Sequence, residues 1–142
     1  MKRLASFALL VAACTSGSDE PGRLRVESAF ARPVVQAGGV GVVYLELVNG
    51  TGAADRLIAA SSPVAAEVET HETVQEGDVA RMVARPEGFV VPASGKVALE
   101  PGGKHLMLFD LRRPVRAGET IPLQLRFERA GVVDVQVPVR DE

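Results

Sequence analysis

The chain alternates between apolar and polar residues over its last third. Ile121, Leu123, Leu125 and Phe127 are interleaved with Pro122, Gln124, Arg126 and Glu128, and Val133, Val135, Val137 and Val139 with Asp134, Gln136, Pro138 and Arg140. A side-chain period of two marks a strand with one buried and one wet face, so both runs are predicted strands. Arg129-Ala130-Gly131 between them is a hairpin turn. Pro122 and Pro138 cannot donate to a ladder, so each strand leaves at least one side unpaired. Val40 to Val48 (VGVVYLELV) reads the same way, with Val43, Leu45 and Leu47 on one face, and Asn49-Gly50-Thr51-Gly52 ends it. Turn signals recur at Gly38-Gly39, Glu76-Gly77-Asp78, Pro86-Glu87-Gly88, Ser94-Gly95, Pro101-Gly102-Gly103 and Ala117-Gly118. From residue 24 onward no run shows a helical stripe, with apolar residues at i, i+3, i+4 and i+7 and polar residues between them. The pattern predicts an all-β fold over residues 24–142, a single antiparallel Greek-key β-sandwich or barrel of roughly eight strands.

Before residue 24 the pattern changes. Lys2 and Arg3 precede an apolar run from Leu4 to Ala13, too short for a permanent membrane span, and residues 1–13 read as a secretory signal. The run ends in Val11-Ala12-Ala13-Cys14, which resembles a bacterial lipobox, so Cys14 is the expected lipid attachment site. Residues 14–23 are small, polar and punctuated by Pro and Gly, the composition of a flexible tether. The expected location is the periplasm or cell envelope, with the chain held to a membrane through its N-terminal lipid. Charge points to no nucleic acid: 16 Lys and Arg stand against 18 Asp and Glu, with no basic stripe. Cys14 is the only cysteine, so the domain has neither a disulfide nor a thiolate ligand of its own.

The chemistry concentrates between residues 71 and 107. Both histidines, His71 and His105, and both methionines beyond the initiator, Met82 and Met107, lie there. Alternation from Glu67 to Gln75 turns Val68 and Val74 inward and His71 outward. The following run from Val79 to Ala84 turns Val79 and Val83 inward and Met82 outward. A turn centred on Glu76-Gly77 makes His71 and Met82 direct cross-strand neighbours, and a register two residues away makes them diagonal. His105 and Met107 share the outer face of a third strand, with Leu106 and Leu108 on the opposite, core face. All four candidate ligands are thus expected to point away from the interior. Thioethers are soft ligands that select Cu(I), whereas Zn(II) uses methionine poorly. The predicted metal site is His71, Met82, His105 and Met107, for Cu(I). Binding of Cu(II) as well would draw on neighbours such as Glu69, Glu72 or Lys104.

At these residues the sequence resembles the periplasmic copper chaperones of the PCu(A)C family. Their signature is a histidine, ten intervening residues, a methionine, about twenty-one more, then His-x-Met. Here ten residues separate His71 from Met82, twenty-two separate Met82 from His105, and His105-Leu106-Met107 completes the motif. The likeness extends to Ala31-Arg32-Pro33, Tyr44 to Asn49, Asp55-Arg56-Leu57, Pro101-Gly102-Gly103 and the closing Leu123 to Val139 hairpin. It implies a cupredoxin-like barrel that binds Cu(I) through the four residues. It also implies delivery to the dinuclear copper centre of a cytochrome c oxidase subunit, often alongside a thioredoxin-fold copper chaperone. The chain departs from the family where Thr73 replaces an auxiliary methionine, and in one extra residue before His105, expected in the loop from Val83 to Gly88.

Other functions fit less well. A cupredoxin-type electron carrier needs a cysteine ligand beside its second histidine, and the domain has none. A hydrolase lacks both a nucleophile motif of the G-x-S-x-G type and paired carboxylates. A metal-free adhesion or assembly lipoprotein, with the His/Met cluster as a contact patch, is the remaining alternative. The reading is a non-enzymatic carrier.

Overall fold

The computed structural model describes residues 22–141. The signal at residues 1–13, the lipid attachment site Cys14 and the tether up to residue 21 lie outside them. Among the described residues there are ten strands and no helix: β1 (Leu24–Ala31), β2 (Gly41–Asn49), β3 (Asp55–Ser61), β4 (Ala65–Glu76), β5 (Val79–Ala84), β6 (Phe89–Val91), β7 (Lys96–Leu99), β8 (Lys104–Leu111), β9 (Thr120–Phe127) and β10 (Gly131–Pro138). The count exceeds the expected eight because β6 and β7, of three and four residues, are too short to display an alternation.

The strands form one sheet in the order β1-β2-β7-β8-β4-β3-β9-β10, with β5 beside β4 and β6 beside β3. Its two ends nearly meet, through a bridge from Ala31 to Val139 and an Arg140 N–H bond to the Ala31 carbonyl at 2.9 Å. The sheet therefore curls into a nearly closed barrel, which protects strand edges that would otherwise pair with other chains. All pairings between named strands are antiparallel except a single parallel contact of β7 with β8.

The core is the inward half of each alternation. Val43, Leu45 and Leu47 of β2, Leu106, Leu108 and Leu111 of β8, and Ile121, Leu123, Leu125 and Phe127 of β9 are all buried. Pro122 sits beyond the end of the β3–β9 ladder, which runs from Leu57↔Phe127 to Ser61↔Gln124, so its missing N–H costs nothing on that side. A one-residue bulge in β1 between Glu27 and Phe30, with Ser28 at φ 54°, brings Phe30 opposite Tyr44 on the outer face.

The β4–β5 hairpin projects from this frame. β5 contributes nothing to the core, and Val79, expected inward, is exposed. The hairpin is anchored at its base: the Arg85 N–H donates to the Thr70 carbonyl at 2.8 Å, the Thr70 hydroxyl donates to the Arg85 carbonyl, and the Thr73 N–H donates to the Gly103 carbonyl at 2.9 Å.

Asp55, at the start of β3, ties the last hairpin to the barrel. Its buried carboxylate accepts the N–H groups of Arg56 at 2.8 Å and of Arg129 and Ala130 at 2.9 Å each. Replacing Asp55 with Ala strands three backbone donors and is expected to lower stability by about 3 kcal/mol, read as a fall in the urea midpoint.

Candidate metal centre

The β4–β8 ladder builds the site. Its register sets His71 opposite His105, Glu69 opposite Met107, and Glu72 opposite Lys104. The two imidazoles lie with their centroids 6.0 Å apart. An imidazole nitrogen binds a metal at about 2.0 Å, so rings sharing one ion have centres no more than roughly 6.4 Å apart. The observed spacing lies within that reach.

Met107 follows two residues after His105 on the same strand face, beside Val42 of β2. Met82 lies opposite Thr73, and Ala84 lies opposite His71. The hairpin thus pairs Glu76 with Val79 across a two-residue Gly77-Asp78 loop, with Gly77 at φ +61°. The direct His71–Met82 pairing expected from a turn at Glu76-Gly77 becomes a diagonal one, because the left-handed conformation falls on Gly77 as the first loop residue, as hairpin turns require. Neither methionine belongs to the core, and Met82 is 60% exposed.

His105 differs from expectation in burial. It does occupy the face opposite Leu106, yet it is only 2% exposed. Neighbouring rings cover it. Tyr44 of β2 approaches edge-on with centroids 6.4 Å apart, His71 covers the other side, Phe30 stacks on Tyr44 at 5.3 Å, and Phe109 lies 5.7 Å from His71. The outer face of β1, β2, β8 and β4 is therefore an aromatic surface with the imidazoles set into it. Phe109 was legible in the sequence, since it shares a strand face with His105 and Met107. The contribution of Tyr44 and Phe30 was not, because it arises from pairings distant in the chain.

Each imidazole has one nitrogen engaged and one without a partner. His71 Nε2 is 2.8 Å from the Glu69 carboxylate, and His105 Nδ1 is 3.2 Å from the Gly103 carbonyl. His71 Nδ1 and His105 Nε2 are buried with no hydrogen-bond partner. An unpartnered buried nitrogen costs about 1–3 kcal/mol, and one on each of two neighbouring rings suits a partner that accepts a lone pair. No group of three or more His, Cys, Asp or Glu is placed to hold a metal among the described residues; the soft donors that the strand registers bring near the imidazoles are the thioethers of Met82 and Met107. Of the three auxiliary candidates, Glu69 shares the face of His71. Glu72 and Lys104 alternate to the other face, where Glu72 pairs with Arg85 and Lys104 lies over the core ring of Phe89.

Comparison with known proteins agrees with this architecture. Residues 24–139 match a family model described as "Putative lipoprotein LpqE-like". A "Putative lipoprotein" from Leifsonia xyli subsp. xyli is 30% identical over 128 residues, covering 89% of this chain and 77% of that one. Among solved structures, the copper-bound PCuAC domain from PmoF2 superposes with a TM-score of 0.70 at 24% identity, over 87% of this chain and 97% of that one, a likeness of fold. The Cu(I) form of DR1885 from Deinococcus radiodurans superposes with a TM-score of 0.64 at 26% identity, over 84% of this chain and 81% of that one.

Burial holds the pKa of His105 below its ordinary value of 6.5. The Gly103 carbonyl opposes that shift, and the neighbouring His71 adds to it. A histidine kept neutral by the fold stabilises it above the unfolded pKa, and that stability is lost as pH falls below 6.5. The urea midpoint of the metal-free domain is therefore expected to fall between about pH 7.5 and about pH 5, with a smaller fall in His105→Gln. An equal fall in both proteins would contradict a neutral, buried His105.

Proposed function

We propose that this chain, which belongs to the LpqE-like family, is an exported Cu(I)-binding metallochaperone. The single observation that carries the reading is the pair of facing imidazoles, each with a buried and unpartnered nitrogen, beside two methionines outside the core. His71, Met82, His105 and Met107 are its proposed ligands. Two imidazoles and two thioethers suit a d¹⁰ ion that tolerates tetrahedral or trigonal geometry, and the absence of thiolate keeps the ion exchangeable. Neutral imidazoles are needed for binding, and burial of His105 in aromatic surroundings favours that form.

A carrier has to release its cargo. Met82 is the ligand best placed to leave first, because it is exposed on a hairpin strand that packs on nothing in the core. An acceptor's thioether or imidazole can take its position before the buried His105 lets go. Such stepwise exchange makes one coordination bond as it breaks another and changes no covalent bond, so the reading is a non-catalytic one.

The finer points rest on the resemblance to PCu(A)C chaperones. These are a Greek-key, cupredoxin-like connectivity, a dinuclear copper centre of cytochrome c oxidase as acceptor, a thioredoxin-fold protein as companion, and a lipid on Cys14 holding the domain in the periplasm. Binding of Cu(II) would recruit Glu69, which shares the ligand face.

The Met82→Leu/Met107→Leu double variant is expected to lose at least roughly a hundredfold in Cu(I) affinity, tenfold for each ~1.4 kcal/mol removed. Competition against a chromophoric Cu(I) chelator measures it. An unchanged affinity would remove the thioethers from the site. Failure of the native protein to take up Cu(I) in native mass spectrometry would favour a metal-free contact module.

A further inference from the structure

We infer that Glu69 and the Gly103 carbonyl fix the two histidines as opposite tautomers, so that His71 presents Nδ1 and His105 presents Nε2 to the same ion. The inference rests on the carrier reading and adds to it a positioning residue and a nitrogen assignment.

A carboxylate accepts and does not donate, so the 2.8 Å contact between Glu69 and His71 Nε2 places the imidazole proton on Nε2. The lone pair is then on Nδ1, the nitrogen that is buried without a partner. Glu69 is well held for this role. It is two residues before His71 on the same face of β4, where the pleat aligns the two side chains, and it lies opposite Met107 in the β4–β8 register.

At His105 the logic is the same with a different acceptor. A backbone carbonyl can only accept, so the 3.2 Å contact to Gly103 places the proton on Nδ1 and the lone pair on Nε2, again the unpartnered nitrogen. The Gly103 carbonyl is itself fixed. It also accepts the Thr73 N–H at 2.9 Å, while the Gly103 N–H donates to the Glu100 carbonyl at 2.9 Å. Gly102, at φ +82°, supplies the left-handed residue of the turn. The Pro101-Gly102-Gly103 turn thus aims a carbonyl at His105.

The two ligands are not equivalent. An anionic acceptor behind an imidazole strengthens it as a donor more than a neutral carbonyl does, and partners of this kind typically set metal affinity by 10–100-fold. His71 is the stronger donor and His105 the more rigidly buried one.

The test uses the domain with ¹⁵N-labelled histidine, observed by long-range ¹H–¹⁵N NMR at about pH 8, where neutral imidazole dominates. The metal-free protein is expected to show His71 protonated on Nε2 and His105 on Nδ1, with Cu(I) then shifting Nδ1 of His71 and Nε2 of His105. Glu69→Ala is expected to relax His71 from a single Nε2–H tautomer to a mixture and to leave His105 unchanged. Glu69→Gln, whose amide oxygen still accepts, keeps the tautomer but binds Cu(I) about tenfold more weakly for loss of the charge. A native His71 protonated on Nδ1, a Cu(I) shift at its Nε2, or a Glu69→Ala variant with unchanged tautomers overturns the inference and leaves the carrier reading standing. Absence of any Cu(I)-induced shift at either ring overturns both.

Discussion

The register of the β4–β8 ladder is the constraint on which the site depends. With side chains alternating at a period of two, a slip of one residue would send either histidine through to the core and expose Thr70 or Leu106 in its place. The ladder is held against such a slip by Leu106 and Leu108 of β8, both buried in the barrel, and by Val68 of β4, packed at its margin. The packing that stabilises the barrel on its inner face therefore also sets the spacing of the imidazoles on its outer face.

The outer face is arranged against stability. Two buried imidazole nitrogens go without hydrogen bonds, and aromatic rings enclose a side chain that would be better hydrated in water. Departures of this kind from local satisfaction belong at functional positions. Around them the polar groups are paired: Thr70 with Arg85, Glu69 with His71, Gly103 with Thr73 and His105. Among the described residues the site thus offers two unused imidazole nitrogens in an otherwise satisfied network. Its rim is different, since β5 rests on β4 alone and carries Met82 in solvent. His105 is enclosed and the Met82 thioether is exposed, which fits the stepwise copper release proposed above.

Much of this was legible in the sequence, for identifiable reasons. The strands β2, β9 and β10 announce themselves because one face is wet and the other dry, and the same alternation puts His105 and Met107 together opposite Leu106 and Leu108. Three features were not legible. The β4–β5 register depended on which glycine-containing pair forms the turn, and several registers satisfy a hairpin whose second strand has no buried face. The burial of His105 depends on Tyr44, which reaches it only through the pairing of β2 with β8 and, through the β1 bulge, gains support from Phe30. The orientation of each imidazole depends on hydrogen bonds that no spacing rule specifies.

In the proposed carrier, imidazoles and thioethers from β4, β5 and β8 share one copper ion. X-ray absorption of the Cu(I)-loaded domain tests it most directly, because nitrogen and sulfur neighbours scatter at different distances. A first shell of two imidazole nitrogens and two sulfurs is expected. A shell of nitrogen and oxygen without sulfur would contradict it.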